Sequence, residues 1–482
     1  MVCTILLQKR FLFVAIAMTL PAFAAAAEPT AARPNVLFIA ADDLNMNVGC
    51  YGETPVKTPH LDRLAARGVR FDRAYCQFPL CNPSRASMLT GLRPDTIGVH
   101  DLQTNLRSTR PNIVTLPQLF KNNGCFSARV GKIYHYGVPR QIGSGGMDDP
   151  DSWDLAINPR GRDKDEEHRL HVLTRGTGSK TIGFAMAWLE MDGADEEQTD
   201  GQGTTETIRL LERMAEEDKP FFIGMGFFRP HTPFVATKKW FDMYPKEAVT
   251  LPDVPSDDLA DIPEAALTIH PPNYGLAESD LKDCVRAYWA SVSFLDSQVG
   301  RVLDALDRLG LAENTIVVFF SDHGFLLGEH SQWQKQMLFE EANRVPLIMA
   351  GPGITGRGAS PRTVELLDVY PTLVELCDLP RPRHKLEGKS LLPLLTQPVA
   401  DWDRPAFSQV ERRVGQGPMA ERIMGYSIRT DRWRYTEWDN GKLGAELYDH
   451  ENDPLEHTNL AQDDAHAAVV QEMKRLLNRI QN

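Results

Sequence analysis

The stretch Asn35-Val36-Leu37-Phe38-Ile39-Ala40, closed shortly afterwards by Asp42-Asp43, decides the fold. An apolar run without polar alternation reads as a strand covered on both faces, and such strands belong to parallel sheets flanked by helices. Similar runs return at Phe221–Phe228, Thr315–Phe320 and Val345–Ala350. Between them the apolar spacing turns helical, over Thr58–Ala66, Thr205–Glu217, Leu281–Leu309 and Val364–Cys377. This alternation predicts an α/β fold with a large, mostly parallel sheet and helices on both sides. Sheets of this kind gather their chemistry at the carboxyl ends of the strands. Asp42-Asp43 and Asp322-His323 each follow a strand directly, so two motifs far apart in the chain are expected at one rim.

Working outward, the chain divides into three parts. Residues 1–27 read as an export signal: Lys9 and Arg10 precede the apolar run Phe11–Leu20, then Pro21 and the alanine-rich stretch Ala22–Ala27. An uncleaved anchor is the alternative reading of that run. No other stretch approaches membrane length, so a periplasmic or extracellular protein without stable membrane insertion is expected. Residues 34–395 form the expected catalytic domain. Residues 396–482 form a small α+β subdomain, with short antiparallel strands in Met424–Trp438 and Ala445–Tyr448 and a closing helix over about Ala465–Ile480. Gly143–Gly146, Arg160–His168 and Leu251–Pro272 read as surface loops that shape a pocket. The formal charge of -13 argues against nucleic acid as a partner. Beyond Cys3 and Cys81, the widely spaced Cys50, Cys76, Cys125, Cys284 and Cys377 make neither a disulfide scaffold nor a zinc module. They leave room for one or two bridges whose pairing cannot be assigned.

The chemistry concentrates in Cys81-Asn82-Pro83-Ser84-Arg85, which runs on through Leu89-Thr90-Gly91. Pro83 is pre-set for a first helical turn, which places Cys81 at the positive end of a helix dipole where backbone N–H groups collect an anion. Arg85 adds a cation whose fork of donors matches sulfate or phosphate oxygens. Asp42, Asp43 and Asp322 at one rim repel one another by roughly 4 kcal/mol per pair at about 4 Å and an effective dielectric of about 20, so they need a cation. Oxygen ligands favour calcium or magnesium. His323 is the anomaly in such a set, because imidazole is a poor ligand for hard ions.

These motifs, in this order, resemble the type I sulfatases of the alkaline phosphatase superfamily. The resemblance runs from about Asn35 to Leu460. It includes Gly131-Lys132-Ile133-Tyr134-His135, Arg229-Pro230-His231-Thr232-Pro233, Ser321-Asp322-His323-Gly324 and Gly328-Glu329-His330 with Lys335. Asn35–Asp43, Lys219-Pro220-Phe221-Phe222, Gly328-Glu329-His330 and Met424–Thr430 look like the iduronate-2-sulfatase branch; Leu447-Tyr448-Asp449 and Asn452–Leu455 look like a phrase shared by many sulfatases. The resemblance implies an alkaline-phosphatase-like fold and hydrolysis of a sulfate ester on a glycan. It implies that a formylglycine-generating or other sulfatase-maturing enzyme oxidises Cys81 to formylglycine. One calcium (magnesium or manganese as the lesser alternatives) would be held by Asp42, Asp43, Cys81, Asp322 and His323, the last standing where some members have asparagine. Cys81, Arg85, Lys132, His135, His231 and Lys335 would be catalytic: Lys132, Lys335 and Arg85 on the sulfate oxygens, His231 or Lys335 as acid to the leaving oxygen, and His135 handling a proton on the aldehyde hydrate. His330 is left outside this set.

Phosphonate and phosphodiester hydrolases of the same superfamily share the Cys-x-Pro-Ser-Arg signature and are the enzymatic alternative. A thiol phosphatase is excluded, since its loop needs arginine six positions after the cysteine and this chain has Ser87. A secreted glycan-binding relative without turnover is opposed by the presence of every expected catalytic residue type.

Overall fold

Eight of the strands that matter here assemble around β1 (Asn35–Asp42), in the computed structural model that describes residues 33–174, 185–217, 219–415 and 420–481 besides Met1. The export-signal region lies outside the described residues, apart from Met1. The elements that follow β1 are α1 (Pro59–Ala66), β2 (Val69–Tyr75), α2 (Cys81–Thr90), β3 (Phe126–Gly131), β4 (Leu155–Ile157), α3 (Thr199–Glu217) and β5 (Phe221–Pro230). Then come α4 (Glu278–Arg308), β6 (Thr315–Ser321), β7 (Arg344–Val345), β8 (Leu347–Ala350), β9 (Gly358–Glu365) and α5 (Val369–Leu376). The nine-stranded sheet runs β7-β2-β8-β6-β1-β5-β3-β4, with β9 paired to β2.

Pairing is parallel from β6 through β1, β5 and β3 to β4, and β9 lies parallel to β2. The run Val345–Ala350 departs from this: Pro346 splits it, and both pieces run antiparallel to their neighbours. The sheet is therefore mixed but mostly parallel.

The continuous apolar reading of β1 holds because helices cover both faces. Leu37 and Ile39 join α1, α3 and α4 in one core, while Val36, Phe38 and Ala40 join α2 and α5 in the other. All five side chains are fully buried, and each of the larger ones contributes about 1.5–3 kcal/mol. The largest departures from the sequence expectation are at two helix starts. α3 begins at Thr199 rather than Thr205, across two glycines, because Asp200 in its first turn accepts backbone bonds from Phe228 and Arg229 at 3.0 Å each. Val364 and Glu365 belong to strand β9, and the helix follows only from Val369.

The segment Arg160–His168 is not simply surface loop. Asp163 is buried, bonds to the amide of Thr199 at 2.8 Å and pairs with Arg229 at 2.6 Å. Beyond the large sheet, β10 (Ala406–Val414), β11 (Glu421–Arg429), β12 (Trp433–Trp438) and β13 (Ala445–Asp449) form an antiparallel meander. Its apolar face packs against α6 (Ala467–Gln481) through Met473 and Leu477. Residues 33–482 form one compact unit. No helix among the described residues is long and apolar enough to cross a membrane. Cys50, Cys76, Cys81, Cys125, Cys284 and Cys377 are all free thiols, so the one or two bridges for which the spacing left room are not formed.

Candidate active site

Four adjacent parallel strands deliver the site. In the order β6-β1-β5-β3, their carboxyl ends carry Asp322-His323, Asp42-Asp43, His231 and Lys132. Register brings them level: Ala41 pairs with Ser321, Asp42 with Pro230 across a bulge, and Gly131 with Gly226. Gly131 (φ 72°) admits no side chain, since a Cβ there would meet the Gly226 carbonyl oxygen at 2.1 Å. That close approach lets the chain turn sharply and point Lys132 inward.

From the other side α2 presents its first residue. Its end is fixed by Gly91 in the left-handed region, whose amide bonds to the Ser87 carbonyl at 2.8 Å. Its start is fixed by two residues that reach the rim. Ser84 Oγ donates to the Asp322 carbonyl, and Arg85 Nε donates to Asp322 Oδ2 at 2.7 Å. The remaining Arg85 nitrogens go to the carbonyls of Lys132 (2.5 Å), Ile133 (3.0 Å) and Ala41 (3.3 Å), with Asp42 at 3.4 Å. Each guanidinium nitrogen thus has a protein acceptor, and Arg85 positions the cluster from behind.

Cys81 Sγ sits amid charge: 3.3 Å from Lys335 Nζ, 3.4 Å from His323 Nε2 and 3.5 Å from Asp42 Oδ1. Burial alone would raise its pKa, but Lys132, Lys335 and His323 outweigh that and hold the thiol well below its usual range. Lys132 Nζ donates to Asp42 Oδ2, and Lys335 Nζ donates to Asp43 Oδ1 at 2.5 Å. Burial acts against Asp42 as well, yet Lys132, His231 and Arg85 keep it ionised far below the carboxylate norm. Asp322 is pushed up to about 6, chiefly by burial.

The histidines are oriented by backbone carbonyls, which can only accept. His323 Nδ1 donates to Gly324 O at 2.9 Å and His231 Nδ1 to Thr232 O at 2.5 Å. Each Nε2 therefore faces the carboxylates: His323 lies 3.4 Å from Asp43 Oδ1, and His231 lies 3.8 Å from Asp43 Oδ2. His135 is buried, which lowers its pKa, and its Nδ1 has no hydrogen-bond partner.

All residues expected at the site converge. Asp42, Cys81, Asp322 and His323 place ligand atoms within 4.8 Å of one another, as do Asp42, Asp43, Cys81 and His231. Asp43 Oδ2 is buried without a hydrogen-bond partner, and Asp43 itself is held at φ 66°. An unsatisfied carboxylate oxygen among three acids fits a hard divalent cation. Sequence reading missed the residues that hold Asp43 in place. Tyr288 OH donates to the Asp43 carbonyl at 2.7 Å, and Ser321 Oγ accepts the Leu44 amide at 2.9 Å while donating to His323 O at 2.8 Å. Tyr288 lies mid-helix in an apolar stripe, and no local signal separates it from core.

Comparison with known proteins places the chain in a family. The sulfatase family profile matches residues 34–379, and the profile for the C-terminal region of N-sulphoglucosamine sulphohydrolase matches residues 328–482. A sulfatase of Formosa agariphila is 34% identical, covering 92% of this chain and 86% of its own. Iduronate 2-sulfatase of Mus musculus is 35% identical, covering 91% and 93%. The crystal structure of phosphonate monoester hydrolase from Agrobacterium radiobacter superposes with a TM-score of 0.74 at 24% identity over 93% and 95% of the two chains, a likeness of fold. The chain belongs to the sulfatase family and is a sulfuric ester hydrolase.

Proposed function

We propose that this enzyme removes sulfate from a sulfated glycan, with a terminal iduronate-type 2-O-sulfate as the preferred group, and that Cys81 acts as formylglycine. The observation that carries the reading is the position of Cys81 Sγ, within 3.5 Å of Lys335, His323 and Asp42 over a buried, unsatisfied carboxylate. Asp42, Asp43, Asp322 and His323 would hold the cation, calcium being the best match to a carboxylate-rich set. Bound there, calcium offsets the charge of the sulfate group and of the attacking oxygen. A hydrated aldehyde at position 81 supplies a second hydroxyl, which lets sulfate depart without water attacking sulfur.

The chain's own residues divide the remaining work. Lys132 and Lys335 are fully or almost fully buried, so their charges act on sulfate oxygens with little screening. His231, His135 and Lys335 retain slight exposure (5, 7 and 5%), whereas Asp42, Asp43, Lys132, Asp322 and His323 have none. The substrate's sugar therefore approaches from the side that His231, His135 and Lys335 line. A sugar alkoxide is a poor leaving group and needs a positioned acid. His231 fills that role: its Nδ1 proton is committed to Thr232, so Nε2 carries the transferable one. His135, buried with its Nδ1 unpartnered, takes the proton from the residue-81 hydrate. Arg85 is a positioning residue.

Export to the periplasm or beyond, and maturation there or in transit by a formylglycine-generating enzyme, follow from the leader sequence and from Cys81. Desulfation of a panel of defined sulfated mono- and disaccharides, run beside a phosphonate monoester, tests the reading. Turnover of iduronate 2-O-sulfate above the other sugars supports it. Preference for the phosphonate would move the assignment to the phosphoryl branch.

A further inference from the structure

The histidine of Gly328-Glu329-His330, which the catalytic reading leaves unused, stands in a second buried cluster. Its Nδ1 donates to Asp258 Oδ2 at 3.0 Å, and its ring stacks on Phe339 at 4.1 Å. Those contacts fix the ring and aim Nε2 the other way. His330 is 1% exposed, and Nε2 has no hydrogen-bond partner. Facing it is Glu341, whose Oε2 is equally buried and unpartnered. Glu456, fully buried, completes the group, and the ligand atoms of all three lie within 4.8 Å of one another.

Leaving two complementary polar atoms unpaired in one buried site costs about 1–3 kcal/mol apiece. A proton shared between His330 and Glu341 would remove that cost if the atoms touched, but neither bonds to the other. The Glu456 carboxylate is only partly spent: Oε1 accepts from Arg434 and from His450 (2.8 Å), and Oε2 accepts from the Glu340 amide (2.8 Å). A carboxylate that orients one imidazole nitrogen and leaves the other free is the arrangement found behind metal-bound histidine. His330 (φ 52°) and Glu456 (φ 59°) also sit in the left-handed backbone region, a conformation that persists only where surrounding structure enforces it.

We propose that His330 Nε2, Glu341 Oε2 and the Glu456 carboxylate hold a divalent transition-metal ion, with zinc the best match, at a site separate from the catalytic carboxylates. One imidazole nitrogen and two carboxylates suit zinc better than calcium, and a water can take the fourth tetrahedral position. The ion would join the loop carrying Asp258, the segment 328–343 that bears Lys335, and the C-terminal subdomain through Glu456. The turn holding Glu341 also bonds back to the Asp322 loop, through Phe325 N to Glu341 O (2.8 Å) and Gly324 N to Ala342 O (2.9 Å). The site therefore braces the segment that carries a catalytic lysine. It does not depend on which sulfate ester the enzyme cleaves.

Crystals of the full-length mature enzyme, grown with calcium and zinc chloride, test this by anomalous diffraction at the zinc edge. The expected result is a peak about 2.0–2.2 Å from His330 Nε2 and a Glu341 oxygen. No peak there, or zinc confined to the Asp42–Asp43–Asp322 cluster, overturns the proposal. In solution, Asp258→Asn should weaken zinc binding about 10–100-fold by disorienting the imidazole, and His330→Gln should abolish it, while calcium content stays unchanged in both. Zinc content identical in wild type and His330→Gln overturns it equally.

Discussion

Two buried charge clusters in this molecule look alike by composition and differ in how completely they are satisfied. In the first, Arg93 forms a two-pronged pair with Glu365 (2.7 and 2.9 Å), Arg404 reaches Asp368 at 3.2 Å, and Asp368 accepts the amides of Glu365 (3.0 Å) and Lys389 (2.7 Å). The Phe407 amide bonds to Glu365 at 3.0 Å, tying the C-terminal meander to the large sheet. No carboxylate oxygen of Glu365 or Asp368 is left without a partner, and the network holds the fold. The second cluster, at the rim of β6-β1-β5-β3, leaves Asp43 Oδ2 orphaned and holds Asp43 in a strained backbone conformation. Buried charge alone does not mark a site. Charge that the protein does not itself neutralise does.

Removing Cys81, the residue proposed to react, separates the two clusters most widely. Cys81→Ala should lower kcat by about 10⁵–10⁶-fold, on the scale seen when a nucleophile is deleted, while the melting temperature and circular dichroism stay close to wild type. Residual turnover near wild type would place the chemistry elsewhere. The reverse experiment belongs to the satisfied network. Glu365→Gln strands the buried Arg93 charge and should cost about 3–5 kcal/mol of stability, read by denaturant unfolding, with kcat per folded molecule unchanged. Lys132→Ala should fall between these limits, lowering kcat/KM by about 10²–10³-fold, the usual loss for one charge-stabilising group.

The smallest effect concerns pH. Burial, reinforced by Glu365, raises Asp368 from 3.8 to about 6. The folded state then binds a proton that the unfolded chain has released, so stability falls as pH rises from about 4 to about 6. Asp368→Asn should flatten that part of the stability profile, measured as melting temperature against pH. An unchanged slope would assign the dependence to another group.

The difference between the clusters also explains what was legible in the sequence. The rim was legible because its residues lie in short motifs at strand ends, where a continuous apolar run such as Asn35–Ala40 stops at charged residues. β1, β5 and β6 were readable for the same reason. Val345–Ala350 misled as to direction, because a strand covered on both faces reads alike whichever way it runs. The first turn of α3 was hidden by Gly201 and Gly203, whose weak helix propensity is overridden by the bonds Asp200 makes to the next strand. Arg85 read as a ligand for sulfate, yet its donors are spent on Asp322 and three carbonyls, an outcome decided by tertiary geometry. The Arg93–Glu365 network left no trace in the sequence, since its members come from separate elements with no shared motif.

The proposed chemistry requires position 81 to work as an aldehyde, not as a sulfhydryl, over the unsatisfied carboxylates. Mass spectrometry of the peptide spanning Cys81, taken from active enzyme purified from its native host, tests this most directly. Formylglycine in proportion to specific activity is the expected result. An intact cysteine throughout a fully active preparation would contradict it.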